Sequence, residues 1–128
     1  MNEVFNEKEL KIERTSSRSE HHDSYGFMIY RPNGYSLPKG MISSFCVIKT
    51  EVTTPYEKWD IRIEFAVQSP TGDASDFHNY TMSCHEWGQG KAIVDQWFSM
   101  MTTMVETTNY MQNKMNKMVI YPKQYLYT

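Results

Sequence analysis

Residues 88–118 read GQGKAIVDQWFSMMTTMVETTNYMQNKMNKM, and no other stretch of the chain keeps one hydrophobic period for so long. Its apolar positions, together with one threonine, follow one another at steps of three and four, which places them on one face of an α-helix. This face carries Val94, Trp97, Met101, Met104, Thr108, Met111, Met115 and Met118. We therefore predict one long helix over about residues 88–118, and the rest of the chain must supply the surface on which it packs.

The two halves of this helix differ in the width of their apolar face. In the first half a second apolar row widens the face, and it consists of Ile93, Phe98, Met100 and Val105. In the second half the face narrows to Met111, Met115 and Met118. A wide apolar face is typical of packing on a sheet, whereas a narrow seam is typical of packing on another helix.

The length of the helix also bears on assembly. From Gly90 to Met118, at ~1.5 Å per residue, it spans about 43 Å, which is longer than a small domain is wide. Either it breaks near Asn109 and Tyr110, or its second half projects toward a partner, and the narrow seam favours projection. The core is expected to include Met100, Met101 and Met104. The predicted homodimer interface comprises Met111, Met115 and Met118.

Four segments ahead of the helix have the composition and alternation of β-strands. They are residues 25–31, 41–54, 58–67 and 77–84. The third, KWDIRIEFAV, alternates strictly between large apolar and charged residues, so one face is buried and the other is solvated. Consecutive strands with short connections and a following helix predict an α+β fold. Its four- to five-stranded antiparallel sheet, a meander, packs against one long C-terminal helix.

Both ends of the chain lie outside this pattern. Leu10 and Ile12 alternate with charged residues and predict an edge strand at about 9–14, whereas residues 15–24 (TSSRSEHHDS) contain no apolar side chain and predict a solvated linker or mobile loop. We therefore expect residues 1–24 to form an arm and linker and residues 25–128 a single domain. Residues 119–128 (VIYPKQYLYT) are expected to be an extended tail that adds to a sheet edge.

Composition limits the class of protein. The 128 residues are 40% hydrophobic and 22% charged, which are ordinary globular values, and the net charge of −2 argues against non-specific coating of duplex nucleic acid. Two cysteines are too few for a disulfide scaffold, so both are expected to be buried free thiols in a reducing, cytoplasmic environment. Neither a membrane-spanning run nor a signal peptide is recognisable.

No motif specifies a catalytic reaction. His21 and His22 are adjacent in a polar stretch, and Cys84 and His85 would point to opposite faces of a strand, so neither pair has the arrangement of metal ligands or of a nucleophile with its base. Cys46 lies in an apolar strand, where burial makes a thiol unreactive. We expect a non-enzymatic protein with no catalytic residue, no cofactor and no metal.

The run GQGK at residues 88–91 invites comparison with phosphate-binding turns, because it follows a predicted strand and opens the predicted helix. It lacks both the second half of a Walker loop and the G-x-G-x-x-G spacing. A turn that reverses the chain and starts the helix is the commoner role for such glycines. An anion site near Lys91 remains the alternative.

The strands also offer a candidate nucleic-acid face, on which basic and aromatic residues are interleaved. Its members are Tyr30, Lys58, Arg62 and Tyr80. Nearby acidic residues, among them Asp60 and Glu64, reduce its positive charge.

The order of four strands and one helix over residues 25–110, with SCHEW (residues 83–87) at the junction, resembles the Whirly and positive-cofactor group of single-stranded-DNA binders. That resemblance implies a curved sheet and a helix that forms a dimer. The first hypothesis is a small regulatory or inhibitory binding protein that acts through contacts with a macromolecular partner, as a homodimer. Single-stranded nucleic-acid binding is the alternative, and a small enzyme is the third hypothesis.

Overall fold

A computed structural model describes residues 8–56, 58–71 and 76–120, and the side chains of Asn33 and of residues 116–120 are outside the description. Within these ranges the chain forms five β-strands and one α-helix. They are β1 (Lys11–Arg18), β2 (His22–Tyr30), β3 (Ile42–Glu51), β4 (Trp59–Gln68), β5 (Phe77–Ser83) and α1 (Trp87–Ile120). Every strand pairs antiparallel with its sequence neighbour, in the order β1-β2-β3-β4-β5. The predicted α+β fold, a meander packed against one long C-terminal helix, is confirmed.

The first hairpin differs from the expectation. Residues 15–24 are not a solvated linker, because they form the second half of β1, a tight turn and the start of β2. Pairing runs without interruption from Lys11 opposite Tyr30 to Arg18 opposite Asp23. β1 is an edge strand with nearly all of its side chains exposed, so the backbone ladder holds it in place and serine and threonine are compatible with it. The predicted edge strand at 9–14 therefore exists but extends to Arg18, while residues 1–7 lie outside the described residues.

The core lies between α1 and one face of the sheet. Phe27 on β2, Phe45 and Val47 on β3 and Ile63 on β4 are at most 2% exposed, and they alternate with residues on the opposite, outer face. From the helix they meet Val94, Met101 and Val105. The buried strand residues follow the period of two expected for one face of a sheet, and the buried helix residues lie on one face of a helix of period 3.6.

The helix is seated asymmetrically on the sheet. It packs chiefly on β2 and β3, reaches β1 on one side and makes few contacts with β4 on the other. A Cβ atom at Gly90 would lie 2.5 Å from Cγ2 of Val47, so the absence of a side chain at Gly90 lets the first turn of α1 approach β3 closely. All seven residues of β5 remain exposed.

The helix continues without a break past Asn109 and Tyr110. Its second half also has a partner within the subunit, which the sequence did not predict. The Asn109 side chain accepts a hydrogen bond from the Leu10 N–H at 2.8 Å and donates one to the Leu10 carbonyl at 3.1 Å. Leu10 is 2% exposed, so this pair attaches the segment ahead of β1 to the helix. Of the predicted tail, residues 119–120 belong to α1 and the remainder lies outside the described residues.

Candidate functional site

Four methionines on α1 are about half exposed, and they lie on one side of the helix. The exposed fractions are 53% for Met100, 50% for Met104, 52% for Met111 and 60% for Met115. At 3.6 residues per turn, all four fall within about 60° of the helix circumference. We call this surface the methionine flank, and the described part of α1 places no charged side chain within this arc.

The methionine flank faces the uncovered part of the sheet. Trp97 stacks on Phe45 of β3, with the ring centroids 5.2 Å apart, whereas Phe98 meets Phe27 of β2 edge-on at 5.6 Å. The Trp97 side of the helix therefore points toward β4 and β5. Because Met104 and Met111 follow Trp97 at intervals of seven residues, they continue on the same side.

The sheet beside this flank is also apolar. Phe45, Phe65 and Tyr80 are register partners on β3, β4 and β5, and their rings stack at 5.6 and 5.1 Å. On the outermost strand, Tyr80 and Met82 share the helix side of the sheet and are each 46% exposed. The exposed helix flank and the exposed strand thus border one surface, with Trp97 and Phe65 between them.

The prediction that Met100 and Met104 belong to the core was wrong, since only Met101 of the three is buried, at 4% exposure. The buried line follows Val94, Met101 and Val105. At ~100° per residue, Val94 and Val105 lie close to Met101 around the helix, whereas Met100 and Met104 lie about 100° and 60° away from Met101 on the opposite side, beyond the part that the sheet covers.

Two of the three predicted interface residues lie on the described surface of α1. Met111 and Met115 belong to the exposed methionine flank. The side chain of Met118 lies outside the described residues, so the predicted interface can be followed only as far as Met115.

The four residues of the candidate nucleic-acid face do not share one surface. Tyr30 and Arg62 are on the outer face of the sheet, Lys58 precedes β4, and Tyr80 lies on the helix side, where it stacks on Phe65. The Tyr30 hydroxyl donates to Glu13 at 2.5 Å. Lys58 is exposed, with its ammonium 5.7 Å from the ring of the adjacent Trp59.

The charge of Arg62 is already compensated on its own strand. Its guanidinium donates to Glu64 at 2.5 Å and to Asp60 at 3.0 Å, and these contacts raise its pKa above the ordinary arginine value. An arginine held between two carboxylates presents little net charge to a phosphate backbone. Among the described residues of the outer face, Arg62 therefore contributes little to the positive charge that binding of a single strand requires.

A pocket of about 580 Å³ opens on the other side of the helix, beside its first turn. We call it the basic pocket, and its walls come from β1, β2, β3 and α1. The lining residues are Ser16, Ser17, Arg18, Asp23, Ser24, Tyr25, Lys49, Trp87 and Lys91. Three of these carry positive charge and one carries negative charge, in a chain whose net charge is −2.

The charges in the basic pocket are only partly paired. Lys49 lies 4.0 Å from Oδ2 of Asp23, at the limit of an ion pair. Its ammonium is 4.6 Å from the Trp59 ring centroid and 5.5 Å from that of Trp87. Within the described residues, neither Arg18 nor Lys91 forms an ion pair at 4.0 Å or less.

The carboxylate of Asp23 also lacks one hydrogen-bond partner. Its Oδ1 atom is buried and has no hydrogen-bond partner among the described residues. The accessible part of the Asp23 side chain, 22% of its surface, is what lines the pocket. The pocket therefore combines unpaired cations with one carboxylate.

Asp95 does not neutralise the positive charge of the basic pocket, because its carboxylate binds Tyr25 and Arg14 beside the pocket. Its Oδ1 accepts from the Tyr25 hydroxyl at 2.5 Å and from Arg14 at 2.9 Å, and the same guanidinium lies 4.1 Å from the Phe98 ring. The hydrogen bond from Tyr25, followed by that from Arg14, lowers the pKa of Asp95 below the ordinary carboxyl value. These contacts hold α1 against β1 and β2.

Sequence reasoning found only a fragment of the basic pocket. The GQGK run pointed to Lys91, but Gly90 serves close packing on Val47 and only Lys91 of the run lines the pocket. Arg18 and Lys49 lie on separate strands, 31 residues apart in the sequence, and no local spacing links them. The antiparallel order of β1, β2 and β3 brings them together.

The two cysteines are half-buried free thiols, rather than fully buried as predicted. Burial is the main cause that raises the pKa of Cys46, and the neighbouring Glu64 adds to it. Cys84 donates from its thiol to the Glu86 carbonyl at 3.3 Å. In the described ranges, no group of three or more His, Cys, Asp or Glu side chains has an arrangement suited to a metal ion.

No family model, curated protein or solved structure matches this chain. Among the described residues, no helix combines the length and the apolar character that a membrane crossing requires. The methionine flank and the basic pocket must therefore be interpreted from their own chemistry.

Proposed function

We propose that this protein is a small, non-enzymatic binding protein that acts as a homodimer, in a regulatory or inhibitory role, through macromolecular contacts. The methionine flank carries this proposal. Contiguous exposed apolar surface is a liability in a monomer and is typical of interaction sites. Methionine is also well suited to such a surface, because its flexible thioether side chain repacks against differently shaped neighbours.

The spacing of the flank favours a second copy of the same chain as its occupant. Met100 and Met115 are equally far from the point between Thr107 and Thr108, and so are Met104 and Met111. Two helices that cross antiparallel at this point would place Met100 of one copy opposite Met115 of the other, and Met104 opposite Met111. Such self-complementarity is what a two-fold symmetric interface requires.

The size of the flank sets the expected strength of the dimer. Fully burying a methionine contributes ~1.5–3 kcal/mol, so a half-exposed one gains about 1 kcal/mol. Eight such side chains in a dimer gain roughly 8 kcal/mol, which lies inside the ~4–15 kcal/mol that association costs. The flank alone therefore supports weak association, and we assign the adjacent Tyr80 and Met82 to the same interface as its additional apolar area.

The non-enzymatic part of the proposal is supported by the state of the nucleophile candidates. The raised pKa of Cys46 keeps its thiol protonated, and a protonated thiol is a poor nucleophile. The Cys84 thiol is directed to a backbone carbonyl. With neither cysteine thiol activated, we assign the action of the protein to the binding surface.

The nucleic-acid alternative receives less support from the geometry. Tyr30 and Arg62 are separated from Tyr80 by the thickness of the sheet, and Arg62 is compensated by Asp60 and Glu64. We therefore keep homodimeric protein binding as the proposed function.

The test is the mass of the protein in solution. We expect sedimentation equilibrium of the full chain to show a monomer–dimer equilibrium, and the double variant Met104→Lys with Met111→Lys to remain monomeric, because burying two ammonium groups at the seam is costly. Circular dichroism of the variant should be unchanged, since both side chains are exposed.

A matched control separates the flank from a general effect of added charge. Thr103→Lys with Tyr110→Lys has the same seven-residue spacing and also replaces exposed side chains, on another side of α1. This control should dimerise like the unmodified chain. A monomeric unmodified chain at high concentration, or a double methionine variant that still dimerises, would remove the flank from the interface.

A further inference from the structure

We propose that the basic pocket binds a small molecule that carries a phosphate monoester on a hydroxylated skeleton, the chemistry shared by sugar phosphates and nucleotides. The pocket lies at the first turn of α1, on the β1–β2 side, whereas the methionine flank faces β4 and β5 along the later turns. The proposal is therefore independent of the homodimer.

The charge of the pocket matches a phosphate monoester. Arg18, Lys49 and Lys91 supply three positive charges, and Asp23 supplies one negative charge. The resulting local charge of about +2 complements a phosphate monoester, which carries about −1.5 to −2 at neutral pH. Ser16, the register partner of Tyr25 on the helix side of the sheet, adds a hydroxyl group that can donate to a phosphate oxygen, whereas the hydroxyls of Ser17 and Ser24 bond to each other at 2.7 Å.

The pocket is larger than a phosphate group needs. At about 580 Å³ it has the size of a small-molecule site, for which ~300–1,000 Å³ is typical. A free phosphate would leave most of this space to water. The ligand is therefore expected to extend beyond its phosphate, alongside Tyr25 and Trp87 in the wall.

Asp23 indicates the chemistry of that extension. A carboxylate repels a phosphate, so its presence among three cations suggests a different contact. Its side chain lines the pocket and is 22% exposed, so the accessible part of the carboxylate can accept a hydrogen bond from a ligand hydroxyl. Carboxylates in nucleotide sites bind ribose hydroxyls in the same way. One ligand with a phosphate at one end and hydroxyls near it would satisfy Arg18, Lys91 and Asp23 together.

The distribution of positive charge favours a small ligand over a nucleic-acid strand. The three cations come from β1, β3 and α1 and converge on one cavity. A strand is bound along a track of cations that follows successive phosphates. The outer face offers no such continuation, because Arg62 is compensated by two carboxylates.

The experiment measures binding of four compounds to the full chain by isothermal titration calorimetry. Ribose 5-phosphate and adenosine 5′-monophosphate should bind, inorganic phosphate should bind more weakly, and adenosine should not bind. If the two phosphorylated compounds bind equally, the sugar phosphate is sufficient. If the nucleotide binds more tightly, the base contributes contacts along the wall that Trp87 and Tyr25 form. Either result supports the proposal.

Variants assign the binding to this pocket. Lys91→Gln should weaken binding of the phosphorylated compounds roughly ten- to hundredfold, the effect of losing one charge-assisted hydrogen bond. Lys39→Gln makes the same change of charge at an exposed position that is not part of the pocket lining, and it should have no effect. Asp23→Asn should reduce the preference for ribose 5-phosphate over inorganic phosphate, because it removes the repulsion of phosphate and replaces the charged acceptor of the ligand hydroxyl with a weaker amide oxygen.

Three results would overturn the proposal. One is the absence of saturable binding by both phosphorylated compounds, and another is an equal loss of affinity in Lys91→Gln and Lys39→Gln. The third is displacement of the bound nucleotide by single-stranded oligonucleotides with the same affinity whether or not they carry a terminal phosphate. That result would indicate a general polyanion surface. All three are distinguishable from failure of the homodimer, which is read from the mass alone.

Discussion

The two sides of helix α1 are built from different chemistry. The side toward β1 and β2 is closed by directed polar contacts: Asp95 accepts from Tyr25 and Arg14, and Asn109 bonds both backbone groups of Leu10. The side toward β4 and β5 carries the half-exposed methionine flank. Apart from the basic pocket at the first turn, one side of the helix is therefore held by directed contacts within the subunit, whereas the other presents an apolar surface.

This difference shows how one amphipathic helix serves both stability and assembly. Directed hydrogen bonds fix the angle and register of α1 on the sheet, because they tolerate little displacement. The methionine flank does not require one fixed angle or register of its partner, because apolar packing is non-directional and methionine adapts its shape. Two pairs of substitutions and one single substitution test the contrast, in order of decreasing effect.

The largest difference is expected between two methionines three residues apart. Met101 is 4% exposed and Met104 is 50% exposed. Met101→Ala should lower the free energy of unfolding by about 2–5 kcal/mol, because it leaves a cavity in the core. Met104→Ala should change it by no more than ~0.5 kcal/mol, as is usual at the surface. Urea denaturation measured at low protein concentration, where the monomer prevails, compares the two. Equal losses would mean that the flank is part of the core.

The next pair tests the polar side with two asparagines. Asn109→Ala removes both hydrogen bonds to Leu10 and leaves two partly buried backbone groups unpaired, so it should cost about 2 kcal/mol. Asn113→Ala removes the same side chain at an exposed position on α1 and should cost only a few tenths of that value. Hydrogen exchange of the Leu10 amide should accelerate only in the first variant. Unchanged exchange would show that the pair does not hold the segment ahead of β1.

The smallest effect is expected at Asp95, which is exposed. Its pKa is lowered by the hydrogen bond from Tyr25 and by Arg14. Because the folded pKa lies below the unfolded value of about 3.9, the contribution of these contacts is complete above that pH. It is then lost as the pH falls through the folded pKa. The denaturation midpoint of Asp95→Asn should therefore lie below that of the unmodified chain at pH 7.

At pH 3 the gap between these two midpoints should have narrowed. High salt should also narrow it at pH 7, because salt screens exposed charges. A gap that is independent of both pH and salt would show that the Asp95 contacts contribute through packing rather than charge.

Much of the fold followed from local patterns. The alternation in residues 58–67 predicted β4 to within one residue at each end, and the three-four spacing predicted α1, which extends from Trp87 to Ile120. Residues 15–24 were misassigned because an edge strand is specified by its backbone partner rather than by apolar side chains. Asn109 was considered only as a possible break point of the helix, since its partner Leu10 is 99 residues away in the sequence.

The candidate sites show the limit of sequence reasoning more sharply. The sequence determined that α1 is amphipathic and that its methionines cluster, because helical periodicity is a local property. Only the tertiary structure decided that Met101 is buried while Met100 and Met104 are exposed, since that depends on the side of α1 that the sheet covers. The tertiary structure also decided that Arg18, Lys49 and Lys91 line one pocket. This convergence arises from the pairing of strands that are distant in the sequence, and no local spacing encodes it.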